Sequence, residues 1–370
     1  MSRRKLNFLD RILLLAAFIL AAALILGFSA WRFDPRDYPL VAFFGLAYPF
    51  FLALNIVMIL LWALRKRWAW AAATLLLIVL GWTALNSTWG FSGNNGEGPK
   101  VAQDAIRIMT YNVHNFKPYG EVNDEATKEQ MLDVVEQENP DIVCFQEYYS
   151  RRKGRYDITD SLKKMLKTKE YYFLPSYEND YESMGLAIFS RYPIKRKGDI
   201  AFYQDRTGNA SIYIDVEVNK QVLRVYNVHL QSISFNPEDY DYLDKVTKKM
   251  EPEISSSKRI ARMLKSAFLK RSAQVDIMKA HFETCTTPFV VAGDFNDTPA
   301  SYAVTQLTRN LNNAFVKQGT GLGKTYNGKF PNFQIDYIAA TKNIEILNHK
   351  IIKAKLSDHF PVRSDLRLNP

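Results

Sequence analysis

The chain has 370 residues, 47% of them hydrophobic, and a formal net charge of +10. That length holds two domains or one large α/β domain with an appendage, and two cysteines, expected as free buried thiols, exclude a disulfide framework. Residues 1–99 carry 9 Lys/Arg against 4 Asp/Glu and the remainder 39 against 34, so the C-terminal part is only mildly basic, which permits a phosphate-bearing substrate without marking a nucleic-acid binder.

Residues 12–31 read ILLLAAFILAAALILGFSAW, uncharged over a length that crosses a bilayer core of ~30 Å at ~1.5 Å per residue. Two more apolar runs, 38–64 and 68–85, follow, more than one soluble core would use so early. Residues 1–87 are therefore read as an uncleaved membrane anchor of three transmembrane helices. Pro39, Pro49 and Asn55 in the second run are tolerable where neighbouring helices satisfy them. The basic N-terminus and Arg65-Lys66-Arg67 belong on the cytoplasmic side and the mixed-charge RFDPRDY turn on the other. The third helix then delivers the rest of this multi-pass protein to the extracytoplasmic side, periplasmic or extracellular, beside bilayer lipid.

Residues 88–101 lie in a Gly/Ser/Asn-rich stretch and read as a flexible linker. From 102 to 370, strands and helices interleave. IRIMTYNV and DIVCFQEY read as buried strands around a helical EATKEQMLDVVEQENP. Then come MGLAIFSRYPI, ASIYIDVEV, QVLRVYNVHLQS, a helical region at about 256–284, PFVVAGDFND, FQIDYIAA and a final segment containing LSDHFPV. Too few helices separate the strands for parallel βαβ winding, which leaves a mixed α/β sandwich. YNVH occurs at 111–114 and again at 226–229, each time at a strand end, which fits a duplicated β-rich half.

Polar residues cluster at those strand ends: Asn112, Glu147, Asn227 with His229, Asp294 with Asn296, Asp336, and Asp358 with His359. Any one would pass as a turn residue, but six such ends restricted to Asn, Asp, Glu and His point to one rigid platform. Carboxylates and amides without thiolates form a hard oxygen site, suited to Mg2+ or Mn2+ and not to a closed structural zinc. An imidazole beside a carboxylate is an oriented acid, base or cation. Together these are what in-line attack on a phosphate ester requires.

TYNVHNF, DIVCFQEYY, YNVHL, VVAGDFND, QIDYI and LSDHFPV resemble, in order and approximate spacing, the motifs of the endonuclease/exonuclease/phosphatase superfamily. That superfamily includes DNase I-like and exonuclease III-like nucleases, inositol polyphosphate 5-phosphatases and neutral sphingomyelinases. The resemblance begins at Ile106 and implies a four-layered α/β sandwich, two packed mixed β-sheets flanked by helices. It implies Glu147 as the principal metal ligand, helped by Asn112 and Asp358. Asp294 would orient or deprotonate the attacking water, and Asn296 would hydrogen-bond a phosphate oxygen. His359 would lie beside the scissile phosphate with Asp336 on its other N–H, and His229 would serve the leaving oxygen. In DNase I-like members that second histidine has a glutamate partner, where this chain has Gly185 with Glu182 as a shifted substitute. Asn227, Asn209 and Arg191 are expected near substrate, His114 is read as structural, and His281 and His349 as surface residues.

Residues 234–271 run from acidic and aromatic to basic and helical. KRIARMLKSAFLKR is expected to pack its apolar residues on the sheet, a substrate lid or membrane-surface contact being the competing reading. The expected function is a metal-dependent phosphodiesterase, nuclease-like; the alternatives are a phospholipid or sphingolipid phosphodiesterase, or a silent phosphate-ligand-binding membrane protein. The partners expected are the phosphate-ester substrate, nucleic acid or lipid headgroup, and the bilayer, with no protein partner.

Overall fold

The computed structural model describes residues 7–92, 96–117, 125–203, 208–233, 235–249, 253–328 and 333–369. It begins with α1 (Phe8–Ser29), whose capping box joins Asn7 and Asp10. Then follow α2 (Pro39–Leu46), α3 (Tyr48–Leu64), α4 (Trp68–Leu80) and α5 (Trp82–Thr88). Of the three transmembrane helices expected, one is found as a single continuous helix and the other two apolar runs as bent helix pairs. Among the described residues one continuous helix, Phe8–Arg32, is long and apolar enough to cross a membrane, whereas α2 and α3 meet at 60° and α4 and α5 at 73°. Pro49 opens α3 and Gly81 separates α4 from α5, so each break has a local cause.

The short arms bend aside because they pack on the rest of the chain. Phe43 of α2 meets Phe268 edge to face at 5.2 Å, and the Gly45 carbonyl accepts from Thr298 Oγ1 at 3.4 Å. Leu85 of α5 joins a cluster with Leu24, Tyr48 and Ala300. The turn after α1 is held as well, since Asp34 Oδ1 accepts from Ser272 Oγ at 2.7 Å and Arg36 pairs with Asp276 at 2.7 Å. Nor is the expected linker a free tether where it is described. β1 (Trp89–Phe91) pairs antiparallel with residues 320–322, and the Gly96 carbonyl accepts from Arg363 at 2.6 Å.

Next come β2 (Ile106–Asn112), α6 (Glu125–Glu138), β3 (Ile142–Arg151), α7 (Ile158–Met165), β4 (Glu170–Glu178), β5 (Glu182–Ser190), β6 (Ile194–Ala201), β7 (Ala210–Val218) and β8 (Gln221–His229). The chain continues through α8 (Pro237–Lys249), α9 (Ile254–Glu283), β9 (Phe289–Asp294), α10 (Tyr302–Thr308), β10 (Asn312–Asn313), α11 (Ala314–Gln318) and β11 (Thr320–Leu322). It ends with β12 (Asp336–Ala340), β13 (Ile344–Ile346), β14 (Lys350–Ile351) and β15 (Val362–Leu368). One sheet has the order β13-β15-β2-β3-β5-β4, with β14 on β15; the other runs β10-β12-β9-β8-β7-β6. Both are mixed, because β2 and β3 are parallel, as are β8 and β9, among antiparallel neighbours.

Side chains alternate between the two faces of each strand, so Ile106 and Ile108 point one way and Met109 and Tyr111 the other. The first face meets Ile212, Ile214, Val225 and Val290 of the opposing sheet. The second is covered by α6 and α7 through Met131, Val135, Ile158 and Leu162. On the outer side of the other sheet, Val275, Met278, Val304 and Leu307 bring in α9 and α10. The result is four layers with both sheets covered, which is why the strands read as nearly continuous apolar runs. The first half of α9 departs from expectation: Ile260, Leu264 and Phe268 pack on Ala42, Phe43 and Leu46 of α2. Cys144 is buried and Cys285 half-buried, both free, and His349 is buried against Ser364, not at the surface.

Candidate active site

The two parallel strand pairs bring their C-terminal ends to one rim. β2 ends at Asn112, β8 at His229 and β9 at Asp294, with His229 and Asp294 directly paired. β12 starts at Asp336, opposite Asp294, so an outgoing and an incoming strand place two carboxylates side by side. Two local devices aim the remaining groups. The β3 ladder is bulged between Phe145 and Tyr148, and Glu147 within the bulge has φ 50°, which turns its carboxylate toward the rim. Gly293, before Asp294, has φ 146°, and a Cβ there would lie 2.0 Å from the Val228 carbonyl, so β8 and β9 need glycine to approach this closely.

Asp294 is buried at the centre of the rim. Its Oδ2 accepts from Asn112 Nδ2 at 3.1 Å and its Oδ1 from the Asn296 backbone N–H at 2.8 Å. His359 Nε2 lies 3.6 Å and His229 Nε2 3.7 Å from Oδ2. Burial pushes the Asp294 carboxyl up to about 6, the positive charges of His359 and His229 pulling against it. His359 Nδ1 meets both Asp336 oxygens, at 3.1 and 3.0 Å. Burial alone would lower this imidazole, but Asp336, Asp294 and Asp358 outweigh it and hold the ring well above the usual histidine range. Its ring meets that of Tyr326 in a T-shaped contact, centroids 5.6 Å apart.

Glu147 and Asp358 both lie near Asn112 and share His114 as a neighbour. Asn112 Nδ2 lies 3.3 Å from Glu147 Oε1, and the single Ser357 hydroxyl proton has two acceptors in reach, the Asn112 carbonyl at 2.9 Å and Asp358 Oδ1 at 3.1 Å. His114 Nδ1 sits 3.3 Å from Glu147 Oε2 and 3.8 Å from Asp358 Oδ1. Burial would raise the Glu147 carboxyl, but the hydrogen bond from His114 and the charges of His229, His114 and His359 bring it down to about 2. Two donor groups therefore have the chemistry to hold a hard divalent cation: Glu147, Asp358 and Asn112, or Asp294, Asp336 and His359, whose ligand atoms lie within 4.8 Å of one another. Both are partly engaged already: both Asp336 oxygens face His359, and Asn112 Oδ1 accepts from the His114 backbone N–H at 3.1 Å.

Several sequence expectations change here. Asn227, expected on the substrate, is wholly buried between the sheets. Its Nδ2 donates to the Phe145 and Ala187 carbonyls at 2.8 and 3.0 Å, and its Oδ1 accepts from Gln146 at 2.6 Å. The repeated YNVH explains the error: the first strand stops at Asn112, whereas the second runs on to His229 and leaves Asn227 two residues inside. Asn227→Ala should cost about 2 kcal/mol or more of stability, read as a lowered Tm, with turnover per folded molecule retained. Arg191 is also excluded. It follows β5, whose end pairs with the beginning of β3, far from Glu147, and its guanidinium binds Asn139 and the Leu166 carbonyl. Asn209 borders the rim next to Ala210, the partner of His229. Glu182 does not replace the missing glutamate, since it accepts from Tyr149 Oη at 2.6 Å. His229 Nδ1 instead meets the Gly208 carbonyl at 3.1 Å, leaving Nε2 turned toward Asp294 and Glu147. His114, read as structural, is at the site, and His281 is half-buried against Tyr226.

Comparison with known proteins agrees with this geometry. The endonuclease/exonuclease/phosphatase family model matches residues 109–359, and a family described only as a domain of unknown function (DUF8431) matches residues 10–88. An endonuclease/exonuclease/phosphatase structure from Beutenbergia cavernae DSM 12333 superposes with a TM-score of 0.51 at 19% identity over 72% of each chain. One from Bacteroides vulgatus gives 0.51 at 18% identity over 72% of this chain and 99% of its own. A humanized D. rerio TDP2 gives 0.50 at 16% over 72% and 100%. No curated protein matches the chain. The matched span runs from β2 through His359 and takes in the whole rim, so the chain belongs to the endonuclease/exonuclease/phosphatase family.

Proposed function

We propose that the protein is a metal-dependent phosphoester hydrolase that cleaves phosphodiester bonds. One observation carries the reading: Asp294, with its carboxyl raised to about 6, lies between two imidazoles and is oriented by Asn112 and by the Asn296 N–H. A carboxylate so placed takes the proton of a water held at the rim as that water attacks phosphorus. His359, kept cationic by Asp336, meets the negative charge that grows on the phosphate oxygens. His229 Nε2, buried with no hydrogen-bond partner among the described residues, is placed to exchange a proton with the leaving oxygen. Asn296 lines the cleft beside the phosphate position, its Nδ2 donating to the Leu230 carbonyl at 3.0 Å. Glu147, Asp358 and Asn112 would hold Mg2+ or Mn2+, which supplies Lewis-acid neutralisation of the substrate phosphate. Glu147→Gln should weaken Mn2+ binding at least tenfold, as titration calorimetry would measure, with an unchanged melting temperature without metal; wild-type affinity would remove Glu147 from the ligand set.

The N-terminal hairpin, α1 against α2 and α3, supports an orientation. Arg65 and Arg67 pair with Asp10 at the start of α1, while the turn at its other end binds α9. The Arg-rich end and the catalytic domain thus sit a helix length apart, and if the bent pairs each cross a membrane, the cleft faces its extracytoplasmic side.

A further inference from the structure

The cleft, about 290 Å³, has two unlike walls. One is the polar rim already described. The other is apolar, built by Leu46, Ile233, Phe235, Phe333 and Ile335. Leu46 is the last residue of α2, so the N-terminal hairpin is part of the cleft. Its seat is packed, because Phe43 and Leu46 lie against Leu264 and Phe268 together with Ile233 and Phe235.

The apolar wall continues outward. Phe333 meets Phe50 edge to face, centroids 6.1 Å apart. Phe50, on α3, is 50% exposed, and Leu54 and Val57, one and two turns further along the same face, are exposed as well. Such a stripe on a helix of this hydropathy is what lipid covers. An apolar path therefore runs from the catalytic imidazole to a lipid-facing surface. The same wall is ill suited to a polynucleotide. The one Lys or Arg among the described residues lining the cleft is Arg271, whose guanidinium binds Asp297 at 2.9 Å and the Gln231 carbonyl at 3.0 Å, and such binding needs cations facing phosphates.

We propose that the substrate is an amphipathic phosphate ester resident in a bilayer, its head group against the polar rim and its hydrocarbon leaving past Leu46, Phe333 and Phe50. The proposal rests on the hydrolase reading for its head-group chemistry, and on the hairpin for the rest. It makes the hairpin a substrate-binding element as well as an anchor.

The test uses the full-length protein in nonionic detergent with Mn2+. Titration calorimetry compares hexadecyl phosphate with butyl phosphate, probes that share a head group and differ in chain. Hexadecyl phosphate should bind at least ~100-fold tighter, and Leu46→Ser and Phe50→Ser should each cut that preference at least ~fivefold. Phe50 is a surface position, so its variant tests the path even if Leu46→Ser fails to fold. Equal binding of the two probes, a preference that Phe50→Ser leaves intact, or displacement of hexadecyl phosphate by a short single-stranded oligonucleotide would overturn the proposal. Turnover of bis(p-nitrophenyl) phosphate by the same preparation reads the other claim: its absence beside an intact chain preference sinks the hydrolase reading and leaves the lipid site standing.

Discussion

Asp294→Asn should lower kcat by about 10³-fold or more, the largest effect of any single substitution at the rim. The amide keeps the side chain's size, so the strand pairing of Asp294 with His229 and Asp336 survives. What it loses is the capacity to accept a proton, and it brings an N–H toward the Asn112 Nδ2 that the carboxylate had bound at 3.1 Å. A buried donor facing a donor adds a local cost of about 1–3 kcal/mol, so the melting temperature should fall somewhat. Activity per folded molecule is the decisive quantity, and single-turnover kinetics on a soluble aryl diester separates the two effects. A variant within tenfold of wild type would move the base elsewhere.

His359→Ala should reduce kcat by at least ~10²-fold, by removing the cation that meets the oxyanion. Asp336→Asn should cost less, because it leaves the ring in place and removes only the carboxylate at 3.0–3.1 Å that holds its charge and orientation. The order of the two identifies roles. If Asp336→Asn cost as much as His359→Ala while Mn2+ affinity fell in parallel, Asp336 would be a metal ligand and the alternative donor group, Asp294 with Asp336 and His359, would be the one that holds the ion.

Most of the rim was legible in the sequence because its residues flank apolar strands: Asn112, His229 and Asp294 close theirs, Asp336 opens one and Asp358 with His359 precede the last, whereas Glu147 sits in a bulge inside β3. Asp294, Asp336, Asp358 and His359 could be recognised from GDFN, QIDY and SDHF alone. Asn227 was misplaced by the repeat, whereas His114 was set aside because Asn112 beside it already carried the motif. The two YNVH copies look equivalent, but one strand stops at the asparagine and the other two residues later, and only pairing partners far along the chain decide which. Arg191 was misplaced by the same long-range fact, since the antiparallel pairing of β5 with β3 sends it to the opposite end of the sheet. Likewise, hydropathy counts apolar residues without saying what they cover. The arms α2 and α5 dock part of their apolar surface on the C-terminal domain through Phe43, Leu46 and Leu85, and a window read along the chain cannot tell that packing from lipid.

Hydrolysis of a phosphate ester at this rim should depend on a divalent cation. The most direct measurement is turnover of bis(p-nitrophenyl) phosphate by the purified full-length chain, stripped with EDTA and then given Mg2+ or Mn2+. The stripped protein should release no p-nitrophenol, either cation should restore release, and neither should restore it in Glu147→Gln or Asp294→Asn. Release that persists after stripping, or that survives in Asp294→Asn, would contradict this mechanism.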